Sequence, residues 1–291
     1  MIGLELGEMG TAMEKTPLRK RSAKPCPRCR RLISVDAQAC IHCGLKRPNV
    51  YRTAPLLKHL LSEQISFVQP ILVSCIALYL LALGLDFSSL DFSGGIFNIL
   101  SPTTEVLFDL GAGGVLPASL GRWWTMLTAT YLHGSLLHIA FNMMWLLRLG
   151  SWVEELFGKS RFWIIYTVAG LFGSIISTLA GTFLFVGASG AIFGLFGALL
   201  FYGRHRGGTF GSALFRQMLI WVVIAFVLGF TVSGIDNWGH LGGLVGGFTA
   251  AWLLKYQERR REGLYDHLAA FVLIFIVLLC FVLMLANYFL I

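Results

Sequence analysis

Seven apolar runs, near residues 65–85, 124–147, 162–181, 186–202, 215–233, 238–254 and 268–291, constrain this chain more than any other feature of it. Each is close to the roughly 20 helical residues needed to cross a hydrocarbon core about 30 Å thick. In that core backbone N–H and C=O groups must be satisfied internally, which leaves helices or closed barrels. Spanning strands would alternate in polarity, and these runs do not. The chain therefore reads as an all-α polytopic membrane protein with seven spans. The fourth and sixth are short and glycine-rich, which suits helices buried among others rather than facing lipid. Composition agrees: of 291 residues, 56% are hydrophobic and 13% charged, which excludes an ordinary soluble domain.

The basic residues give an orientation. Twelve precede the first span. Arg148, Lys159 and Arg161 lie between spans two and three, and Arg204, Arg206 and Arg216 between four and five. Lys255, Arg259, Arg260 and Arg261 lie between six and seven. All fall on the side of the N-terminus, and only Arg122 falls opposite. The positive-inside rule puts the N-terminus in the cytosol and the C-terminus outside. Residues 1–25 lack the apolar core of a cleavable signal, so the first span is expected to serve as the insertion signal. The net charge of +8 is explained by topology and anionic headgroups, and calls for no nucleic-acid partner.

Ahead of the spans, Cys26-Pro27-Arg28-Cys29 and Cys40-Ile41-His42-Cys43-Gly44 form two Cys-x-x-Cys knuckles ten residues apart. Four thiolates so spaced close a tetrahedral Zn²⁺ site with no open position, the mark of structural rather than catalytic metal. Gly44 suits the tight turn a knuckle needs. About 30 residues bury too little for an independent core, so metal would supply the folding energy. Two disulfides are disfavoured in a reducing cytosol; an iron site of the rubredoxin kind remains an alternative. His42 is expected to face solvent, and Cys75 and Cys280 to act as small apolar packing residues. The expected organisation is a disordered segment over 1–22, a zinc-ribbon-like module over 23–48 and a linker over 49–64. A six-helix core over 65–255 follows, then a linker with the seventh helix over 256–291.

The chemistry sits at membrane depth, where ionisable groups are expensive and usually functional. Ser189, in Gly187-Ala188-Ser189-Gly190, opens span four, where backbone N–H groups lack intrahelical acceptors. Gly190, Gly194 and Gly197 make one face of that helix smooth. Gly239, Gly243 and Gly247 do the same for span six, and small faces allow close backbone packing in lipid. His240 lies beside that stripe, so packing along the glycines would bring it towards Ser189 as a base. Phe193, one turn on, is placed to stack on the imidazole. His138 and Asn142 share a face of span two at i, i+4, and both can donate hydrogen bonds to an oxyanion. His133 is expected to point away from that face and to anchor the preceding loop. Taken singly, a membrane serine usually bonds back to its own helix, a glycine stripe usually packs, and a histidine is often a packing or relay group. Four polar groups on three spans, each in the setting one reaction requires, argue otherwise.

His133-x₄-His138-x₃-Asn142, Gly187-Ala188-Ser189-Gly190 and Gly239-His240-x-x-Gly243, in this order on spans two, four and six, resemble the rhomboid family of intramembrane serine proteases over roughly residues 65–255. The resemblance implies a rhomboid-like six-helix core with a Ser–His dyad and no aspartate orienting the base. On that carry-over Ser189 is the nucleophile and His240 the general base, while His138, Asn142 and the Ser189 amide form the oxyanion hole. The seventh span resembles the six-plus-one arrangement found in part of the family. One departure is visible: rhomboids commonly carry Trp-Arg before span two, whereas this chain reads Arg122-Trp123-Trp124-Thr125.

The expected function is hydrolysis of peptide bonds in or near transmembrane segments of other membrane proteins, without a catalytic cofactor. Water must enter from the outer side, and substrate helices must unwind to expose a carbonyl, which favours helix-weakening residues near the cut. The alternative is a non-proteolytic rhomboid-like protein that binds transmembrane helices; such relatives usually lack the serine or the histidine. A proton-coupled carrier would want carboxylates in the interiors of spans two to six, and there are none. The expected location is a bacterial plasma (inner) membrane.

Overall fold

The computed structural model describes residues 23–26, 29, 31–44, 66–85, 99–232, 234–254 and 262–290. The expectations for the lead segment over 1–22, and for the linkers around 49–64 and 256–261, lie outside those residues. The chain divides into two units, residues 1–65 and 66–291.

In the first unit, strands β1 (Ala23–Pro25) and β2 (Leu32–Ser34) pair antiparallel, with Lys24 opposite Ile33. The hairpin closes through Cys26 N–H to Arg31 O (2.9 Å). Gly44, at φ +69°, turns back to donate its N–H to Cys40 O (2.8 Å). Among the described residues its small core is Cys26, Ile33 and Cys40, with Cys29, Ala37 and Cys43 packed against them.

The second unit is helical. Its long helices are α1 (Val68–Leu85), α5 (Leu136–Phe157), α6 (Lys159–Leu179), α7 (Ser189–Arg206), α8 (Gly208–Thr231), α9 (Asn237–Leu253) and α10 (Leu264–Leu290). Short helices α2 (Thr104–Asp109), α3 (Val115–Ser119) and α4 (Thr125–Thr128) fill the connection between α1 and α5. Helices α1, α5, α6, α8 and α10 are long and apolar enough to cross a membrane. The chain is thus a multi-pass membrane protein.

Of the remaining long helices, α7 is interior, while α9 buries its glycine face and exposes Trp238, Val245 and Trp252 on the other. Thirteen of the eighteen residues of α7 are buried, so it packs inside rather than against lipid. It meets α9 backbone to backbone: a Cβ on Gly243 would strike Gly190 O, one on Gly247 would strike Gly194 O, and one on Gly197 would strike Leu244 O. Helix α6 closes the triangle, since Gly242 of α9 leaves 2.7 Å between a would-be Cβ and Phe172 O. Small residues here permit a contact that no side chain could.

Two expectations need correction. Hydropathy sets the second span at 124–147, but the helix is Leu136–Phe157. Residues 125–131 form α4 and a 3₁₀ turn, and Leu132 is extended. Ser135 then caps a new helix, its Oγ accepting the His138 N–H at 3.3 Å. At the other end Gly158, at φ +98°, separates α5 from α6 by a single residue. Arg161, read as a loop charge, is instead 1% exposed in the first turn of α6. Its Nη2 donates to Asp266 of α10 at 2.8 Å, and its backbone N–H donates to Glu262 at 2.9 Å. Ser160 Oγ meets His267 Nδ1 at 2.8 Å beside it. Burial raises the pKa of the Glu262 carboxyl, against the pull of the Arg161 amide and the nearby charges of His267 and Arg161. The seventh helix is pinned to the core by this polar cluster.

Candidate active site

Ser189 is the first residue of α7, which places its N–H among those without an intrahelical acceptor. The turn before it is built by Gly187 at φ +130°, whose N–H bonds Ala129 O at 2.9 Å. Any side chain at 187 would occupy a space bordered by His138 Nε2 at 2.6 Å and Ser189 Oγ at 3.8 Å. The glycine therefore lets the His138 ring sit against the serine turn.

His138 lies at the third position of α5. Its Nδ1 accepts the Gly134 N–H at 3.3 Å. In a neutral ring that leaves the proton on Nε2, the nitrogen nearest Gly187. Asn142, one turn deeper and buried, uses Nδ2 to donate to His138 O at 2.8 Å. Each amide nitrogen carries two hydrogens, so this bond fixes the group without exhausting it.

His240 lies in the first turns of α9, buried, its ring stacked on Phe193 with centroids 4.1 Å apart and planes 12° apart. Phe226 of α8 approaches edge-on at 6.4 Å. Residues adjoining the serine and the histidine touch directly: the Gly239 carbonyl is 3.3 Å from the Cβ position of Gly190. A cavity of about 30 Å³ opens between them, lined among others by Ser189, Gly187, Thr130, Ser174, Gly239 and Asp236. That is room for a water or two.

His133 departs from expectation. It precedes the helix, so helical spacing does not govern it. It is fully buried, and its ring packs T-shaped against His138 at 5.1 Å. Thr125, in place of the usual arginine, is buried and donates Oγ1–H to Arg122 O at 2.7 Å, while the Arg122 guanidinium lies 4.4 Å from the centre of the Phe108 ring. Asp236 and Ser177 were not singled out from sequence. Asp236 caps α9, and an Asp directly before an apolar run was the available signal.

In the N-terminal unit the Sγ atoms of Cys26, Cys29, Cys40 and Cys43 all lie within 4.8 Å of one another. The Cys26–Cys43 and Cys29–Cys40 separations are 3.8 and 3.5 Å. Tetrahedral zinc with Zn–S near 2.3 Å needs sulfurs about 3.8 Å apart, so the four residues fit a structural metal. Burial raises the Cys40 thiol, but N–H groups of His42 and Cys43 and the neighbouring Cys29 and Cys43 thiols lower it further, to about 6. His42 is exposed, with Nε2 3.3 Å from Leu32 O.

The rhomboid domain model matches residues 120–257. Rhomboid protease GluP of Bacillus subtilis is 41% identical over 167 residues, covering 57% of this chain and 32% of that protein. Putative rhomboid protease YdcA of the same organism is 34% identical over 167 residues, covering 57% of this chain and 84% of that protein. The chain belongs to the rhomboid family. RHOMBOID-like protein 4 of Arabidopsis thaliana is 33% identical over 159 residues, 54% of this rhomboid and 40% of that protein. This rhomboid thus spans about a third of the length of GluP and most of the length of YdcA.

Proposed function

We propose that this rhomboid is an intramembrane serine endopeptidase that cuts peptide bonds in or near the transmembrane segments of other membrane proteins. Ser189 Oγ attacks the scissile carbonyl carbon while His240 takes its proton. The tetrahedral oxyanion is received by the Ser189 N–H, His138 Nε2–H and the second Nδ2–H of Asn142, and each such donor is worth about 10²–10³ in rate. His240 then returns the proton to the leaving amine, and water from the polar cavity hydrolyses the acyl-enzyme. What supports the reading is that the Gly187–Ser189 turn borders His138 Nε2, whose ring accepts at Nδ1 from Gly134, while Gly239, next to a His240 ring stacked on Phe193, lies beside Gly190. The ribbon cysteines hold zinc, and the N-terminus faces the cytosol of a bacterial cell, with the site towards the outside.

Labelling by a fluorophosphonate, together with cleavage of a transmembrane substrate in liposomes, tests this. Wild type is expected to label and cleave, and Ser189→Ala and His240→Ala to do neither. Equal cleavage by wild type and Ser189→Ala sinks the assignment. A folded wild type that never labels favours helix binding without proteolysis.

A further inference from the structure

The proposed dyad does not by itself supply what positions the His240 ring. Its Nδ1 is buried without a hydrogen-bond partner, so no carboxylate orients it directly. Phe193 fixes the plane of the ring, but where the ring sits relative to Ser189 depends on where the first turn of α9 is held. That turn is held by a carboxylate shared between two helices. Asp236 Oδ1 accepts the Gly239 N–H at 2.9 Å, and Oδ2 accepts a short hydrogen bond from Ser177 Oγ of α6. The Asp236 carbonyl takes the His240 N–H at 3.1 Å. Ser177 is fully buried and belongs to the last turns of α6, where its own carbonyl receives the Thr182 N–H. A Cβ at Gly239 would lie 2.5 Å from Asp236 Oδ2, so glycine there makes room for the carboxylate. The Gly239 carbonyl is in turn wedged between Gly173 of α6 and Gly190 of α7.

We propose that Asp236 and Ser177 are a positioning pair that ties the first turn of α9 to α6 and so sets the His240 imidazole on Ser189. The inference rests on the catalytic reading above. Asp236 touches neither the reacting atoms nor the imidazole; it acts through the backbone at 236–240. A group that works by tethering acts on the rate rather than on substrate binding. Because the Asp236 side chain also lines the cavity beside Ser189, Ser177→Ala, which leaves that carboxylate in place, is the decisive variant for the split between kcat and KM.

The test is steady-state cleavage of a transmembrane substrate in liposomes, with fluorophosphonate inactivation rates and thermal melting for each variant. Asp236→Ala and Ser177→Ala are expected to lower kcat about tenfold or more, since small misplacements of catalytic groups are costly, with KM within about twofold and slower labelling in proportion. Asp236→Asn can rebuild both contacts, its amide oxygen accepting from Gly239 and its amide N–H donating to Ser177 Oγ. It should hold within about threefold of wild type. Wild-type kcat in both alanine variants overturns the proposal, as does a rise in KM at constant kcat. Asn as damaging as Ala overturns it too, because charge rather than tethering would then be the requirement. If Asp236→Ala does not fold, Ser177→Ala and Asp236→Asn decide between the same outcomes. A wild type that fails to label at Ser189 would instead remove the catalytic reading beneath.

Discussion

Gly243→Ala probes the close approach of α9 to α7. The added methyl would overlap Gly190 O outright, with Gly190 C at 2.6 Å and Cα at 3.0 Å. All three are backbone atoms of an interior helix and cannot rotate away. Restoring ordinary separations of about 3.5 Å requires α7 and α9 to part by on the order of 1 Å. Overpacking of this kind costs about 1–3 kcal/mol. The larger effect is on rate, because Gly190 adjoins Ser189 and Gly243 is three residues from His240. A displacement near 1 Å between reacting groups is worth about 10²-fold. We expect Gly243→Ala to melt earlier in detergent and to inactivate with fluorophosphonate about 10²-fold more slowly than wild type. Gly84→Ala is the matched control: its Cβ meets nothing within 4 Å, so both readouts should stay at wild type. Gly243→Ala with wild-type melting and labelling would refute the close approach of the two helices, and with it the geometric basis of the dyad.

Two further outcomes follow from the polar groups away from the dyad. Arg161→Met leaves the buried Asp266 without its guanidinium partner and should cost about 3–5 kcal/mol in thermal unfolding, whereas Arg161→Met with Asp266→Leu should recover most of that loss; equal stability of the single and double variants would contradict it. The ribbon should carry one metal per chain by elemental analysis, lost in Cys26→Ser or on chelation, with Ser189 labelling retained. Because the Cys40 thiol is lowered to about 6, its thiolate persists at neutral pH. Bound metal competes with protons for the thiolates and holds them deprotonated to lower pH still, so release should set in only below about 6; release already complete at pH 8 would contradict this.

The sequence conveyed the helices through hydropathy and the site through residue types that lipid rarely tolerates. It misled where apolar character and helical geometry part company. Residues 124–135 are apolar enough to extend a span, yet Leu132 is extended and Ser135 begins a new helix. The helix then runs on through Arg148, Glu154 and Glu155, which hydropathy discards. Arg161 was assigned to a loop because its partner Asp266 lies more than a hundred residues away, and a single chain carries no mark of such pairs. The same is true of Ser177 and Asp236: an N-cap aspartate is legible locally, but its second acceptor role depends on which helix packs beside it. The glycine stripes were legible because their spacing is itself the contact surface.

The position of the site follows from topology more than from any single residue. His138 is the third residue of α5, Ser189 the first of α7 and His240 the fourth of α9. These first turns gather in one place: His138 borders the Gly187 turn and the Gly239 carbonyl lies beside Gly190. Helix N-termini present unsatisfied N–H groups and a partial positive charge, which is the environment a developing oxyanion needs. The glycine contacts among α6, α7 and α9 then bring two of those N-termini within a residue's reach of each other, since Gly190 and Gly239 touch. The polar groups proposed to be catalytic thus sit at the first turns of apolar helices, while the glycine packing that aligns them runs on along α7 and α9. A substitution deep in that packing should therefore reach the chemistry through helix placement, in proportion to its nearness to the first turns. Gly247→Ala, one turn below Gly243 and equally blocked by the Gly194 backbone, should destabilise as much as Gly243→Ala and slow labelling less.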